Sequence, residues 1–230
     1  MMVTIIAFDG LNRCGKGTQA ELLRINLLQS RILPIVIRGD GSREGLGESW
    51  GDPKNDWWMS FKKRLSGLEG TALWFNYWDK AACVLADELI HWKNVLMPHA
   101  VEQSGYAQGV LLVDRTLISR LMMVTQAGKS IKLDDLYLVD NKPQEVNWQD
   151  VLPDLIFNFH VPNHQLLARL DDHDPKHQFR LNIIEKCFSL HVAISSNLPD
   201  QIGVRTVNIN GDRDPDVIHQ EILNKVKSFL

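Results

Sequence analysis

The residues whose types and spacing best suggest chemistry lie directly after the first apolar run of the chain. Val3–Phe8 is followed by Gly10, Gly15 and Lys16 in the pattern G-x-x-x-x-G-K. Glycine adopts positive φ and has no Cβ, so backbone N–H groups at such positions can approach phosphate oxygens closely. A lysine at the end of this loop supplies a charge that can reach the terminal phosphates of a nucleotide. The spacing therefore predicts a phosphate-binding loop.

The segments on both sides of the loop agree with this prediction. The run before it is typical of a buried strand, and Ala20, Leu23 and Leu27 recur after it at helical spacing. A helix that begins near Lys16 would direct the positive end of its dipole at a bound phosphate. A chance glycine-rich turn is the alternative, and the order strand, loop and helix weighs against it.

The rest of the chain predicts an α/β fold. Further apolar, β-rich runs occupy residues 33–37, 110–113, 155–161 and 204–209, and segments of helical period separate them. This order predicts a three-layer P-loop NTPase fold with a five-stranded, mainly parallel sheet flanked by helices. With 230 residues and 44% hydrophobic content, we expect a single domain over 1–230. The run of mixed charge at about 170–180 predicts a small lid that excludes water from the site.

Composition argues against several classes of protein. A formal net charge of -3 does not suit a protein that binds nucleic acid polymers through a basic field. No apolar run approaches the roughly 20 residues that a membrane-spanning helix needs. Cys14, Cys83 and Cys187 lie far apart and form no C-x-x-C pair, which is typical of reduced thiols. The sequence thus predicts a cytoplasmic protein with no membrane and no nucleic acid polymer as a partner.

A second candidate group stands at the end of another predicted strand. The run at 110–113 is followed by Asp114, Arg115 and Thr116. Charged residues at the carboxyl end of a buried strand lie where ligands bind in open α/β sheets. This position predicts that Asp114 and Arg115 belong to the same site as the loop, and a structural ion pair between them is the alternative.

Several motifs resemble those of the thymidylate kinase family and follow the same order along the chain. Phe8–Gln19 is similar to the family's F-E-G-x-D-R-A-G-K-S-T-Q, and Leu46–Glu48 to its L-G-E. Asp114–Thr116 with Ser119 resembles D-R-Y-x-x-S, and Pro153–Phe157 resembles P-D-L-T-F. Asn210–Val217 is similar to the final D-G-x-x-S-P-E-E-V. The resemblance implies transfer of the γ-phosphoryl group of ATP, with Mg2+, to a nucleoside monophosphate, in the first place dTMP. It also suggests a homodimer that forms through surface helices.

The resemblance implies roles for the residues that match. Catalysis would depend on Arg13, Lys16, Asp114 and Arg115, because phosphoryl transfer needs positioning and neutralisation of negative charge. Mg2+ would be held by Asp114 and Thr18. ATP would contact Gly10, Asn12, Arg13, Cys14, Gly15, Lys16, Gly17, Thr18 and, by stacking of its adenine, Arg169. The alternatives are that Arg13 pairs only with a surface carboxylate and that Arg169 is an exposed helix arginine.

The acceptor pocket would contain Arg115, Ser119, Arg38 and the aromatic residues Trp74, Phe75 and Trp78. Here the sequence departs from the family pattern. Asn12 replaces an aspartate associated with the acceptor sugar, and the third predicted helix lacks the arginine that holds the acceptor phosphate. Lys80 lies nearby, but a lysine does not reproduce the planar fork of an arginine.

The loop departs from the family pattern as well. Gly17 stands directly after Lys16, where Ser or Thr usually supplies a magnesium ligand, and Thr18 follows. This G-K-G-T-Q order resembles the loop of nucleoside monophosphate kinases such as adenylate kinase. Two other functions stay open at this point: a kinase for a nucleoside or another small metabolite, and a nucleotide-binding module without transfer activity.

Overall fold

The computed structural model describes residues 3–37, 43–44, 89–115, 119, 122, 125, 138–139, 142–143, 152–174 and 177–230. Four predicted acceptor residues, Arg38, Trp74, Phe75 and Trp78, lie outside these ranges. The sequence also predicts a helix from Thr71, which can cap it, to about Met97, and most of that helix lies outside these ranges. The donor side of the predicted site lies almost entirely within them.

A sheet of six strands forms the centre of the described structure. Its strands are β1 Val3–Gly10, β2 Ile32–Ile37, β3 Arg43–Glu44, β4 Gln108–Asp114, β7 Leu155–His160 and β8 Arg205–Asn210. They lie side by side in the order β3-β2-β4-β1-β7-β8. Two further strands, β5 Leu138–Val139 and β6 Lys142–Pro143, form a separate antiparallel pair.

Five of the six strands run parallel, which confirms the prediction of a mainly parallel five-stranded sheet. β1 pairs with β4 on one side and with β7 on the other, and β2 and β8 continue the sheet outward. β3 adds a short antiparallel edge to β2. Every residue of β1 is buried, since a central parallel strand is covered on both faces. This burial explains why the first run of the sequence is almost continuously apolar.

The described helices are α1 Lys16–Gln29, α2 Met97–Ser104, α3 Asn163–Ala168, α4 His177–Ile202 and α5 Pro215–Lys227; the π-helical turn Trp92–Leu96 leads directly into α2. The buried face of α1 contains Ala20, Leu23 and Leu27, as the helical spacing predicts. Among the described residues, no helix has the length and apolar character needed to span a membrane.

The ends of the strands place the predicted site. In the parallel sheet, Phe8 of β1 is level with Asp114 of β4, and Asp9 is level with Asn158 of β7. The carboxyl ends of β1, β4, β7 and β8 therefore meet at one edge of the sheet. The loop between β1 and α1 lies at the centre of that edge, where ligands bind in open α/β sheets.

Candidate phosphate-binding site

The loop between β1 and α1 has the backbone conformation that its glycines predict. Gly10 has φ 143° and Gly15 has φ 96°, both in the region that favours glycine. A Cβ on Gly10 would lie 2.7 Å from Cys14 Sγ and 3.0 Å from the carbonyl oxygen of Phe159. Gly10 is thus required by close packing as well as by its φ angle.

Lys16 extends its ammonium group to the centre of the loop region. Its Nζ donates to the carbonyl oxygen of Leu11 at 3.1 Å and lies 3.9 Å from Asp114 Oδ1. Only 7% of Lys16 is exposed. A buried ammonium held by a neutral carbonyl and a carboxylate at the ends of two strands is a suitable site for an additional anion.

Asp114 supplies a carboxylate at the same place. Its Oδ1 atom is buried and has no hydrogen-bond partner among the described residues. Such an oxygen suits Mg2+, which in nucleotide sites takes one or two protein carboxylates and completes its shell with phosphate oxygens and water. Among the described residues, no three His, Cys, Asp or Glu side chains group together to form a complete metal site. Asp114 therefore fits a magnesium ion that the nucleotide brings, and exposed Thr18 stays a predicted ligand.

Arg115 joins the end of β4 to the loop. Its backbone N–H donates to the carbonyl oxygen of Phe8 at 3.0 Å, and its Nη2 donates to Asn12 Oδ1. Arg115 has φ 72°, a left-handed conformation that is uncommon for a residue with a side chain. Asp114 faces Lys16 while Arg115 binds Asn12, so both belong to the loop region as the sequence predicts.

Arg13 contacts the segment that the sequence predicts to be a lid. Its Nη2 donates to Asp174 Oδ2 at 2.8 Å, and the same carboxylate oxygen accepts from Arg180 Nη1. Arg180 lies near the beginning of α4. Arg13 of the loop, Asp174 and Arg180 therefore form a charged cluster. A lid at about 170–180 and its closing motion stay predictions.

Arg169 fastens the loop to the connection between β8 and α5. Its Nη1 donates to the carbonyl oxygens of Arg13 at 3.3 Å and Gly211 at 3.2 Å, and its Nη2 contacts Asp212 Oδ1 at 3.0 Å. A Cβ on Gly211 would come within 2.8 Å of the Cys14 carbonyl oxygen. Arg169 thus supports the loop, and stacking of its partly exposed guanidinium on adenine stays a prediction.

Ser119 lies beneath the loop and is fully buried. Its hydroxyl donates to Asp9 Oδ1, and its backbone N–H lies 3.4 Å from Asp9 Oδ2. Asp9 Oδ1 also accepts from the N–H of Gly10 at 3.0 Å. Ser119 therefore holds Asp9, which orients the start of the loop. Its contact with the acceptor stays a prediction. No spacing in the sequence indicates this role for Asp9.

A buried histidine that the sequence analysis did not single out lies near the loop. His191 of α4 is 2% exposed, and its Nε2 has no hydrogen-bond partner in the described structure. Burial lowers the pKa of His191 to about 4; the charge of Asp9 opposes this effect, whereas those of His160, Lys16 and Arg115 add to it. His191 is therefore neutral at neutral pH.

A cavity of about 490 Å3 lies beside His191, between the loop, α4 and the ends of β7 and β8. Its walls are mainly apolar and include Leu11, Phe159 and Phe188. His160 and Asn208 also line it, and with Asn158 they form a hydrogen-bonded group on neighbouring strands. No spacing in the sequence indicates this group, because its members come from strands that are distant in the chain.

Comparison with known proteins gives a match in structure alone. The sequence matches no family model and no curated protein. The structure is similar to that of thymidylate kinase from Ehrlichia chaffeensis, with 16% sequence identity, a TM-score of 0.51 and coverage of 99% of this chain and 100% of that chain. The chain therefore has the α/β fold of that structure, with a five-stranded parallel sheet flanked by helices. At this identity the similarity establishes the architecture alone.

Proposed function

We propose that the protein is an ATP-dependent phosphotransferase that acts on a nucleoside monophosphate, with dTMP as the first candidate acceptor and dTDP as its product. The observation that carries the proposal is the position of Lys16, whose buried ammonium lies 3.9 Å from Asp114 at the centre of a glycine loop. The similarity in fold to a thymidylate kinase supports it.

The proposed reaction transfers the γ-phosphoryl group of ATP to an oxygen of the acceptor phosphate. The bond between the γ-phosphorus and its bridging oxygen breaks, and ADP leaves. Negative charge spreads over the transferring group in the transition state, so catalysis depends on positioned cations rather than on a protein nucleophile. Lys16 and the N–H groups of the loop would hold the donor phosphates, and Arg13 would neutralise the transferring group.

Magnesium would bind at Asp114, with Thr18 as a further candidate ligand. When bound, the ion would neutralise part of the charge on the donor phosphates. The role of Asp114 itself is to supply an oxygen at the end of β4, level with the start of the loop. The donor phosphates would lie on the side of Asp114 that faces Lys16.

The acceptor would lie beside Arg115 and Asn12, where the end of β4 meets the loop. Arg115 would contact the acceptor phosphate, with Ser119, Arg38, Trp74, Phe75 and Trp78 as the remaining predicted acceptor residues. The choice of dTMP rests on the sequence motifs together with the similarity in fold. A cytoplasmic location, a homodimer and a lid at about 170–180 belong to the same proposal.

A coupled assay of ADP release would test the proposed acceptor. ATP and Mg2+ would be supplied with each of the common nucleoside monophosphates, nucleosides and polyphosphate in turn. We expect turnover with dTMP or with a small group of monophosphates. Turnover with an unphosphorylated acceptor alone would instead show a kinase for a nucleoside or another small metabolite. Binding of ATP without turnover on any acceptor would show a nucleotide-binding module.

Substitution of the loop cations would test the site residues. Lys16→Ala and Arg13→Ala should each lower kcat by about 100-fold or more, because each removes a positive charge from the transferring group. Lys227→Ala is the matched control, since it removes an exposed lysine on α5. Both loop variants should unfold close to the wild-type temperature. Near-normal turnover of the Arg13 variant would assign that arginine to structure alone.

A further inference from the structure

Asp174 places a single carboxylate oxygen between two arginines from distant parts of the chain. Asp174 Oδ2 accepts from Arg13 at 2.8 Å, across 161 positions of sequence, and also from Arg180. The Asp174 side chain is only 15% exposed. An anionic oxygen shared by two guanidinium groups is the arrangement that arginines form with phosphate.

The two cations of the loop differ in what they contact. Lys16 donates to a backbone carbonyl and lies 3.9 Å from Asp114 Oδ1, beyond hydrogen-bond distance, whereas Arg13 donates directly to a carboxylate oxygen at 2.8 Å. A phosphate that binds to Arg13 would therefore meet a negative charge already paired with it. Two anions that share one guanidinium repel each other, so phosphate and carboxylate are competitors for Arg13.

The backbone of Asp174 has contacts of its own in the turn before α4. The Asp174 N–H donates to the carbonyl oxygen of Asp171 at 3.0 Å, and the His177 N–H donates to the Asp174 carbonyl oxygen at 2.8 Å. These two bonds involve only backbone atoms of Asp174. They therefore do not depend on whether its carboxylate contacts Arg13.

We propose that Asp174 is an internal competitor of the nucleotide: its carboxylate occupies the anion site of Arg13 and Arg180 in the free protein and is displaced when phosphate binds. The inference rests on the proposed function, because it assumes that Arg13 is a phosphate ligand. It assigns to Asp174 a role in setting the affinity for the donor.

Calorimetric titration of the full chain with inorganic tripolyphosphate and with ATP would test this inference. Asp174→Asn should bind both at least about threefold more tightly than wild type, because the competing charge is gone. Asp172→Asn is the matched control: it removes the same charge from the same segment, from a side chain that is 91% exposed. An equal gain in both variants would show a long-range charge effect and would overturn the inference.

A second pair of variants locates the effect at Arg13. In an Arg13→Ala background, Asp174→Asn should no longer raise the affinity for tripolyphosphate and ATP. Asp174→Glu alone keeps the negative charge, so its affinity should stay close to that of wild type. An unchanged or lower affinity of Asp174→Asn, with the far-ultraviolet circular dichroism of the wild type, would overturn the inference.

The outcomes also separate the inference from the proposed function. Tighter binding by Asp174→Asn without turnover on any acceptor would keep the inference and refute the transfer activity. If neither wild type nor Asp174→Asn bound tripolyphosphate or ATP, both proposals would fail.

Discussion

Arg13 has a backbone conformation that long side chains rarely adopt. Its φ is 65°, and Arg115 at the end of β4 has φ 72°. Arg31, which follows α1, is the third residue other than glycine with positive φ in the described part of the chain. A left-handed residue with a side chain costs about 1–2 kcal/mol relative to glycine. Such strain persists where the surrounding structure fixes it, often at functional sites.

This conformation gives a prediction about stability at Arg13. Both Arg13→Gly and Arg13→Ala remove the guanidinium, but only glycine relieves the backbone strain. Arg13→Gly should therefore be more stable than Arg13→Ala by about 1 kcal/mol in the free energy of unfolding, measured with urea. At Ser30, where φ is −88°, the glycine variant should show no such advantage over the alanine variant. Equal stability of the two Arg13 variants would contradict the proposed strain.

The sequence could identify the charged residues of the site but not their partners. Pairing of Arg13 with a carboxylate was one of the alternatives, and the structure shows that the carboxylate is Asp174. Many acidic residues were equally available, because the contact spans 161 positions. The partners of Arg169 could not be predicted from the sequence either. Its bonds to the carbonyl oxygens of Arg13 and Gly211 form only because two loops that are distant in the chain meet in the fold.

At the scale of elements, prediction worked where one local rule determines the structure. A parallel strand that is covered on both faces must be apolar, and this rule identifies β1, β2, β4 and β7. In the edge strand β8 only Ile209 is buried, and the β-branched residues of 204–209 predict it instead. Asp followed by Pro is a typical cap and first residue of a helix, and α5 begins at Pro215 after Asp214. The two-residue strands β3, β5 and β6 carry no such pattern, because their pairing depends on neighbouring chain segments rather than on their own residues.

The cap of α5 provides a test at this scale. Asp214 Oδ1 accepts from the N–H groups of Asp216 at 2.9 Å and Val217 at 3.3 Å. Asp214→Ala removes this cap and should lower the free energy of unfolding by about 1 kcal/mol, measured with urea. Asp214→Ser can still accept these bonds and should stay near wild type. An equal loss in both variants would mean that the cap contributes nothing.

Over the whole molecule, the burial of His191 makes stability depend on pH. Its pKa is lowered to about 4 in the folded protein, chiefly by burial, from an ordinary value of 6.5. The unfolded chain therefore binds more protons below pH 6.5, so stability decreases as the pH falls from 6.5 toward 4. Burial also lowers the pKa of His219 on α5, which acts in the same direction.

His191→Leu should remove part of this acid sensitivity. Between pH 7.5 and 5, the free energy of unfolding of the variant should fall by about 1–2 kcal/mol less than that of the wild type, because no buried imidazole remains to be protonated. Urea unfolding at the two pH values would measure the difference. His99→Leu, which replaces an exposed histidine, is the control. An unchanged pH dependence in the His191 variant would refute the assignment.

The loop between β1 and α1 is held by residues much nearer the C-terminus, and this has a consequence for folding during synthesis. β1 takes its place only between β4 and β7, and the loop after it is held by Arg169 and packs against Gly211. Gln19 at the start of α1 donates to the carbonyl oxygen of Pro215. The ribosome therefore releases the glycine-lysine motif long before it makes the residues that shape it. A nascent chain that ends before β8 carries the complete motif and Arg169, but it lacks Gly211 and Pro215.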